Sequence, residues 1–153
     1  MGGEVLEREV IMASVAVSGW GLTVLRVVIG IVFLAHGIDK FFFTGIGNIA
    51  GFFGQLGIPL AGLSAFLVAA TELVGGVALI AGFFTRIFAV LLAVIVFVAM
   101  LLVHVSNGFF ASSGGVELTL VLTAACVALA LSGAGEAAVQ RDSVPTRDRA
   151  SAS

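Results

Sequence analysis

A chain of 153 residues, 60% of them hydrophobic and 10% charged, with a mean hydropathy of +1.23, has the composition of a membrane protein. The length suits one domain, and several spans of about 20 residues would consume most of it, so no separate soluble domain fits. A net charge of -2 with no basic block excludes nucleic acid as a partner. The single Cys126 excludes an intramolecular disulfide and a CxxC redox centre.

The chain opens with "MGGEVLEREVIMASVAVS", which lacks the basic start of a signal peptide and leads to no small-residue cleavage site, so the first apolar run is expected to remain. Residues 5–17 are expected to form a helix at the membrane surface, and Trp20 suits the headgroup boundary where the first span begins. Four apolar runs follow, at about 21–42, 60–83, 87–105 and 116–133, each near the length that crosses a bilayer. Between the first two lies "FTGIGNIAGFFGQLGIP", too glycine-rich and short to span yet too apolar for a solvated loop. A short interfacial or re-entrant helix is expected there, with Pro59 opening the next helix.

"GFFTR" predicts a tight turn between the second and third spans, and "SNGFFASSGG" a turn-rich return between the third and fourth. The fold class is therefore all-α: a four-transmembrane-helix bundle over residues 21–135, with a short helix between the first two spans. Residues 1–20 form a cytoplasmic N-terminal segment, and the small, polar stretch 136–153 a disordered cytoplasmic tail. The basic residues set this orientation. Arg8, Arg26, Arg86, Arg141, Arg147 and Arg149 fall on one side and Lys40 alone on the other, which puts both termini inside.

Two ionisable residues are costly where they stand. Glu72 lies near the middle of its span, where a charge must be paired, hydrogen-bonded or neutralised. Helical spacing puts Ala65, Ala69, Gly75 and Gly76 on its face, and such small residues admit a close neighbouring helix, so Glu72 faces protein. Arg26 lies at a similar depth from the inner side by residue counting, which predicts an Arg26–Glu72 ion pair; the alternative is that Arg26 snorkels to the headgroups. Glu72 itself reads either as a helix-packing charge or as a proton-handling or ligand-binding group.

At the outer end, "AHGIDKFFF" sets His36 and Lys40 four residues apart on one helix face with Asp39 beside them. His36 reads as a proton relay or as a helix-end imidazole bonded to a carbonyl, and Lys40 as a snorkelling residue. His104 and Glu117 come to the same level from the third and fourth spans. No HxxxH or ExxH spacing supports a metal site, and none is expected.

Taken together, "LRVVIGIVFLAHGIDKFF", "GIPLAGLSAFLVAATELVGG", "FFTR", His104 with "NGFF" and "GGVE" resemble the DoxX family of four-helix bacterial membrane proteins over roughly residues 22–135. Aspartate stands at position 39, where the family pattern has an uncharged residue, and "EAAVQRD" replaces its usual aromatic-Ser-aliphatic-Asp ending. The resemblance implies the bacterial plasma membrane, kinship with a membrane subunit of a thiosulfate:quinone oxidoreductase, and a role in thiol or oxidative-stress defence. The chain carries no flavin, nicotinamide or haem-ligand pattern, so no intrinsic cofactor is expected and a redox group would be borrowed or be a lipid-soluble quinone. Three functions follow. One is a redox-linked subunit binding a quinone or other small molecule among Arg26, His36 and Glu72, with Lys40, His104 and Glu117 as further candidates. Another is a non-enzymatic anchor or assembly factor with a protein partner or as a homo-oligomer. The third is a small transporter using Glu72 as a proton site, which the lack of a convincing pair of broken-helix repeats disfavours.

Overall fold

The computed structural model describes residues 2–140, with the side chains of residues 2, 6 and 9–18 left aside. It is all-helical, with no strand among the described residues. Helix α1 covers Gly2–Ile38, α2 Ile46–Gln55, α3 Ala61–Ala81, α4 Thr85–Ala99 and α5 Glu117–Ser132. Three helical stretches are long and apolar enough to cross a membrane, Gly19–Phe43, Ala61–Ala81 and Thr85–Asn107, while α5 is a shorter apolar helix of 16 residues. The short α2 sits where the linker predicts one.

Three boundaries differ from the sequence reading. Residues 5–17 are not a separate surface helix but the first part of a continuous 37-residue α1; no proline precedes Pro59, and the helix runs through Gly19 and Gly21. Pro59 does not open α3. Leu60 adopts a left-handed conformation at φ 50°, the helix starts at Ala61, and the Ser64 hydroxyl donates to the Pro59 carbonyl at 2.9 Å. The stretch read as a disordered end is hydrogen-bonded over residues 136–140, where Glu136, Val139 and Gln140 donate their peptide N–H groups to Gly19, Ala81 and Gly82. Residues 141–153 lie outside the described part of the chain.

Packing begins with α1 against α3, which run antiparallel at very close approach. A Cβ on Gly76 would stand 2.5 Å from the Leu34 nitrogen, and one on Gly37 2.6 Å from the Leu73 nitrogen. These glycines fix the register: position 34 faces 76 and position 37 faces 73, so residue numbers across the pair sum to about 110. Where the lipid tails supply no hydrophobic drive between helices, such backbone proximity gives dispersion contacts that larger side chains would prevent. The remaining core is apolar, with Ile29 and Phe33 of α1, Leu79 of α3, Leu92 and Val96 of α4, and Leu122, Cys126 and Leu129 of α5 all buried.

The turns are closed by main-chain geometry. After α3, Gly82 at φ 72° lets Phe83 donate to the Ala78 carbonyl and Gly82 to that of Leu79, satisfying carbonyls the helix end leaves open. At the other end, Gly108 at φ 82° and Gly114 at φ 79° bend residues 105–116 back on themselves, and Val116 and Glu117 donate to the carbonyls of Gly108 and Phe109. That fold-back brings the loop over the end of the bundle opposite the Gly82 turn.

Candidate functional site

The α1–α3 register decides which charges meet. Glu72 is buried, as the row of small residues predicts, and Ala65, Ala69, Gly75 and Gly76 are buried beside it. Its partner is Lys40, whose Nζ lies 2.6 Å from Glu72 Oε2, and not Arg26. The Arg26–Glu72 pairing is thereby corrected. Arg26 stands opposite Gly82, ten residues or roughly 15 Å along α3 from Glu72. Lys40 is corrected too: its side chain is only 18% exposed and turns into the bundle, because a buried carboxylate offers the ammonium more than a headgroup region does.

Arg26 belongs to the opposite end of the molecule. It is almost wholly buried and donates through Nη2 to the Ala137 carbonyl, close to the Gly82 turn. The snorkelling alternative is thereby also set aside. Thr23 assists, its hydroxyl donating to Gly19 and accepting from the Ala137 N–H at 3.3 Å. The segment that departs from the usual ending thus still supplies Arg26 with an acceptor, through a main-chain carbonyl. On the same side, Arg86 donates to the carbonyls of Ala130 and Leu131, where the open carbonyls of a helix C-terminus favour a cation.

Four of the six candidate residues converge at the end of the bundle opposite Arg26: His36, Lys40, Glu72 and His104 line one cavity of about 230 Å³. Phe33, Thr119, Gly114 and Gly115 are also part of its wall. Lys40 and His104 both lie on π-helical turns, Asp39–Phe43 at the end of α1 and Met100–His104 at the end of α4. A π-turn inserts an extra residue per turn and re-aims the side chains that follow, and such turns recur at functional sites. Nothing in the sequence announces them.

Each imidazole is held by a carbonyl. His36 Nδ1 lies 2.8 Å from the Val32 carbonyl oxygen, one turn back on α1, and His104 Nδ1 lies 2.6 Å from that of Gly114 in the folded-back loop. Glu117 comes to the same level but stays out of the cavity; its Oε2 accepts the Ala111 N–H at 2.8 Å and so clamps the loop that carries Gly114. Asp39 accepts the Thr44 hydroxyl at 2.7 Å, a local bond at the end of the first π-turn.

A second cavity, of about 370 Å³, lies beside the first and is lined mainly by apolar side chains, among them Phe52 and Phe53 of α2 and Leu56 just after it. Lys40, Glu72, Ile95, Ala99 and His104 line both. The ion pair therefore stands between a polar chamber and an apolar one roofed by the short helix. This apolar chamber was missed from sequence, although Phe52, Phe53 and Leu56 in the linker are its signal. No group of three or more metal-ligating side chains occurs among the described residues.

Comparison with known proteins fits this architecture. A family model for DoxX matches residues 21–105, which carry α2, α3 and α4, both π-turns and His36, Lys40, Glu72 and His104. The chain is 37% identical over 113 residues to "Putative oxidoreductase CatD" of Bacillus subtilis, covering 74% of this chain and 79% of that protein. It is 36% identical over 122 residues to an uncharacterized protein of Haemophilus influenzae, covering 77% and 87%. No solved structure matches. With the matched segment spanning more than half the chain and carrying α2, α3, α4 and the four polar side chains of the cavity, the protein belongs to the DoxX family of multi-pass membrane proteins.

Proposed function

We propose that this protein is a redox-linked membrane subunit that binds a quinone, or another small oxidisable molecule with an apolar tail, at the outer end of its bundle. The observation that carries the reading is the junction of the two chambers. The polar one offers imidazole, carboxylate and ammonium groups to a headgroup, and the apolar one beneath α2 offers a hydrocarbon surface to a tail. The printed name of the Bacillus subtilis relative supports a redox association. A bound quinone would supply the electron-carrying chemistry. The chain's own part is to orient it, keep it from bulk water, and move protons through His36, His104 and Glu72. Thiol and oxidative-stress defence is the setting we propose, on the family resemblance alone.

Small molecules extracted from protein purified in mild detergent should include a prenylquinone in proportion to the protein. The double substitution Lys40→Leu/Glu72→Leu, which removes the polar groups between the chambers without leaving an unpaired charge, should strip it. Retention of a protein partner in fixed ratio with no small molecule would overturn the reading and leave the anchor function in its place.

The proposed orientation, with both termini cytoplasmic and the cavity toward the outside, has its own check. In intact cells a membrane-impermeant maleimide should label Gly47→Cys, and should label Ser153→Cys only after lysis. Cys126 is fully buried and should give little background. Labelling of Ser153→Cys in intact cells would invert the assignment.

A further inference from the structure

We infer that the outer site selects the reduced form of its ligand, taking a hydroquinone in preference to the corresponding quinone. The inference rests on the quinone-site reading above and adds which redox state the protein holds.

The cavity wall offers more hydrogen-bond acceptors than donors. A carbonyl oxygen can only accept a hydrogen bond, so the contacts of His36 Nδ1 with Val32 and of His104 Nδ1 with Gly114 require a proton on both Nδ1 atoms. In the neutral ring that leaves each Nε2 with a lone pair and no hydrogen. Neither Nε2 has a hydrogen-bond partner among the described residues. Glu72 Oε2 is taken by Lys40, and the other carboxylate oxygen is again an acceptor.

Donors are scarce by comparison. The peptide N–H groups of Gly114 and Gly115 are committed to Ala111 and Phe110, and the Thr119 hydroxyl donates to Val116. Only the remaining protons of the Lys40 ammonium are left to donate among the polar groups lining this cavity.

A quinone carries two carbonyl oxygens and no donor, so at best it meets Lys40 and sets its other oxygen against lone pairs. A hydroquinone carries two O–H groups and can donate to an imidazole and to a second acceptor. Leaving acceptors unsatisfied costs more than a made bond gains, so the reduced form should bind about tenfold tighter.

The test uses the purified full chain in lipid nanodiscs, with decylubiquinol kept reduced under anaerobic conditions and decylubiquinone as the two probes, read by equilibrium dialysis. A hydroquinone preference of about tenfold is expected. His36→Asn keeps an amide N–H near the place of Nδ1–H, able to reach Val32, and removes the Nε2 acceptor. It should weaken decylubiquinol about fivefold and leave decylubiquinone unchanged. Equal affinities in the unsubstituted protein, a preference for the quinone, or equal loss of both probes in His36→Asn would overturn the inference while leaving a quinone site standing. Failure of both probes to bind the unsubstituted protein would overturn the site itself. Because the comparison of redox states is made first on the unsubstituted protein, it does not depend on the variant folding.

Discussion

Replacing Lys40 with methionine should destabilise the detergent-solubilised protein by about 3 kcal/mol, because it leaves the Glu72 carboxylate buried without its partner. Glu72→Met should cost less. The Glu72 side chain is 7% exposed against 18% for Lys40, so an orphaned carboxylate is trapped while an orphaned ammonium can extend toward the membrane surface. The double substitution Lys40→Met/Glu72→Met should recover most of the loss, since two long apolar side chains fill the space and no charge is left unpaired. Apparent Tm by a thiol-independent thermal shift measures all three, with roughly a 10 °C drop expected for Lys40→Met. Arg26→Leu combined with Glu72→Met should be additive, because those residues stand roughly 15 Å apart along α3. Rescue of Glu72→Met by Arg26→Leu would restore the pairing that the structure removes.

What could be read from the sequence followed from composition and one-dimensional spacing. Glu72 was assigned to a protein-facing surface because Ala65, Ala69, Gly75 and Gly76 share its helix face, and all five are buried. His36 and His104 were placed at one level because each lies near the same end of its span, and the structure sets both on one cavity. What failed was the charge pairing, which depends on register between helices. Counting inward from Trp20 put Arg26 level with Glu72. The glycine contacts slide α3 so that Gly82, ten residues further on, takes that place. No periodicity within a single helix encodes such an offset. The π-turns were equally hidden: Lys40 reads as a helix-end residue until the extra residue in its turn directs it toward Glu72. Glu117 stays out of the cavity, because the folded-back loop uses its carboxylate at Ala111.

Since the register sets the ion pair, the glycines that set the register carry much of the site's geometry. Gly76→Ala would place a methyl group 2.5 Å from the Leu34 nitrogen and 2.8 Å from both the Leu34 Cα and the Gly30 oxygen. All of these are backbone atoms of α1, so no side chain can swing aside and the helices must separate. A cost of about 3 kcal/mol is expected, at the upper end for one added methyl. Gly37→Ala, facing the Leu73 backbone at 2.6–2.7 Å, should behave alike. Gly62→Ala lies on the same helix α3, but nothing comes within 4 Å of the added methyl. It should leave the stability within about 0.5 kcal/mol of that of the unsubstituted protein. The separation has a second consequence. Moving α1 off α3 lengthens the 2.6 Å Lys40–Glu72 contact, so Gly76→Ala should also weaken the hydroquinone binding proposed above, although Gly76 does not line the cavity. A Gly76→Ala protein as stable as its parent would mean that α1 and α3 do not approach this closely, and both the register and the ion pair built on it would fall together.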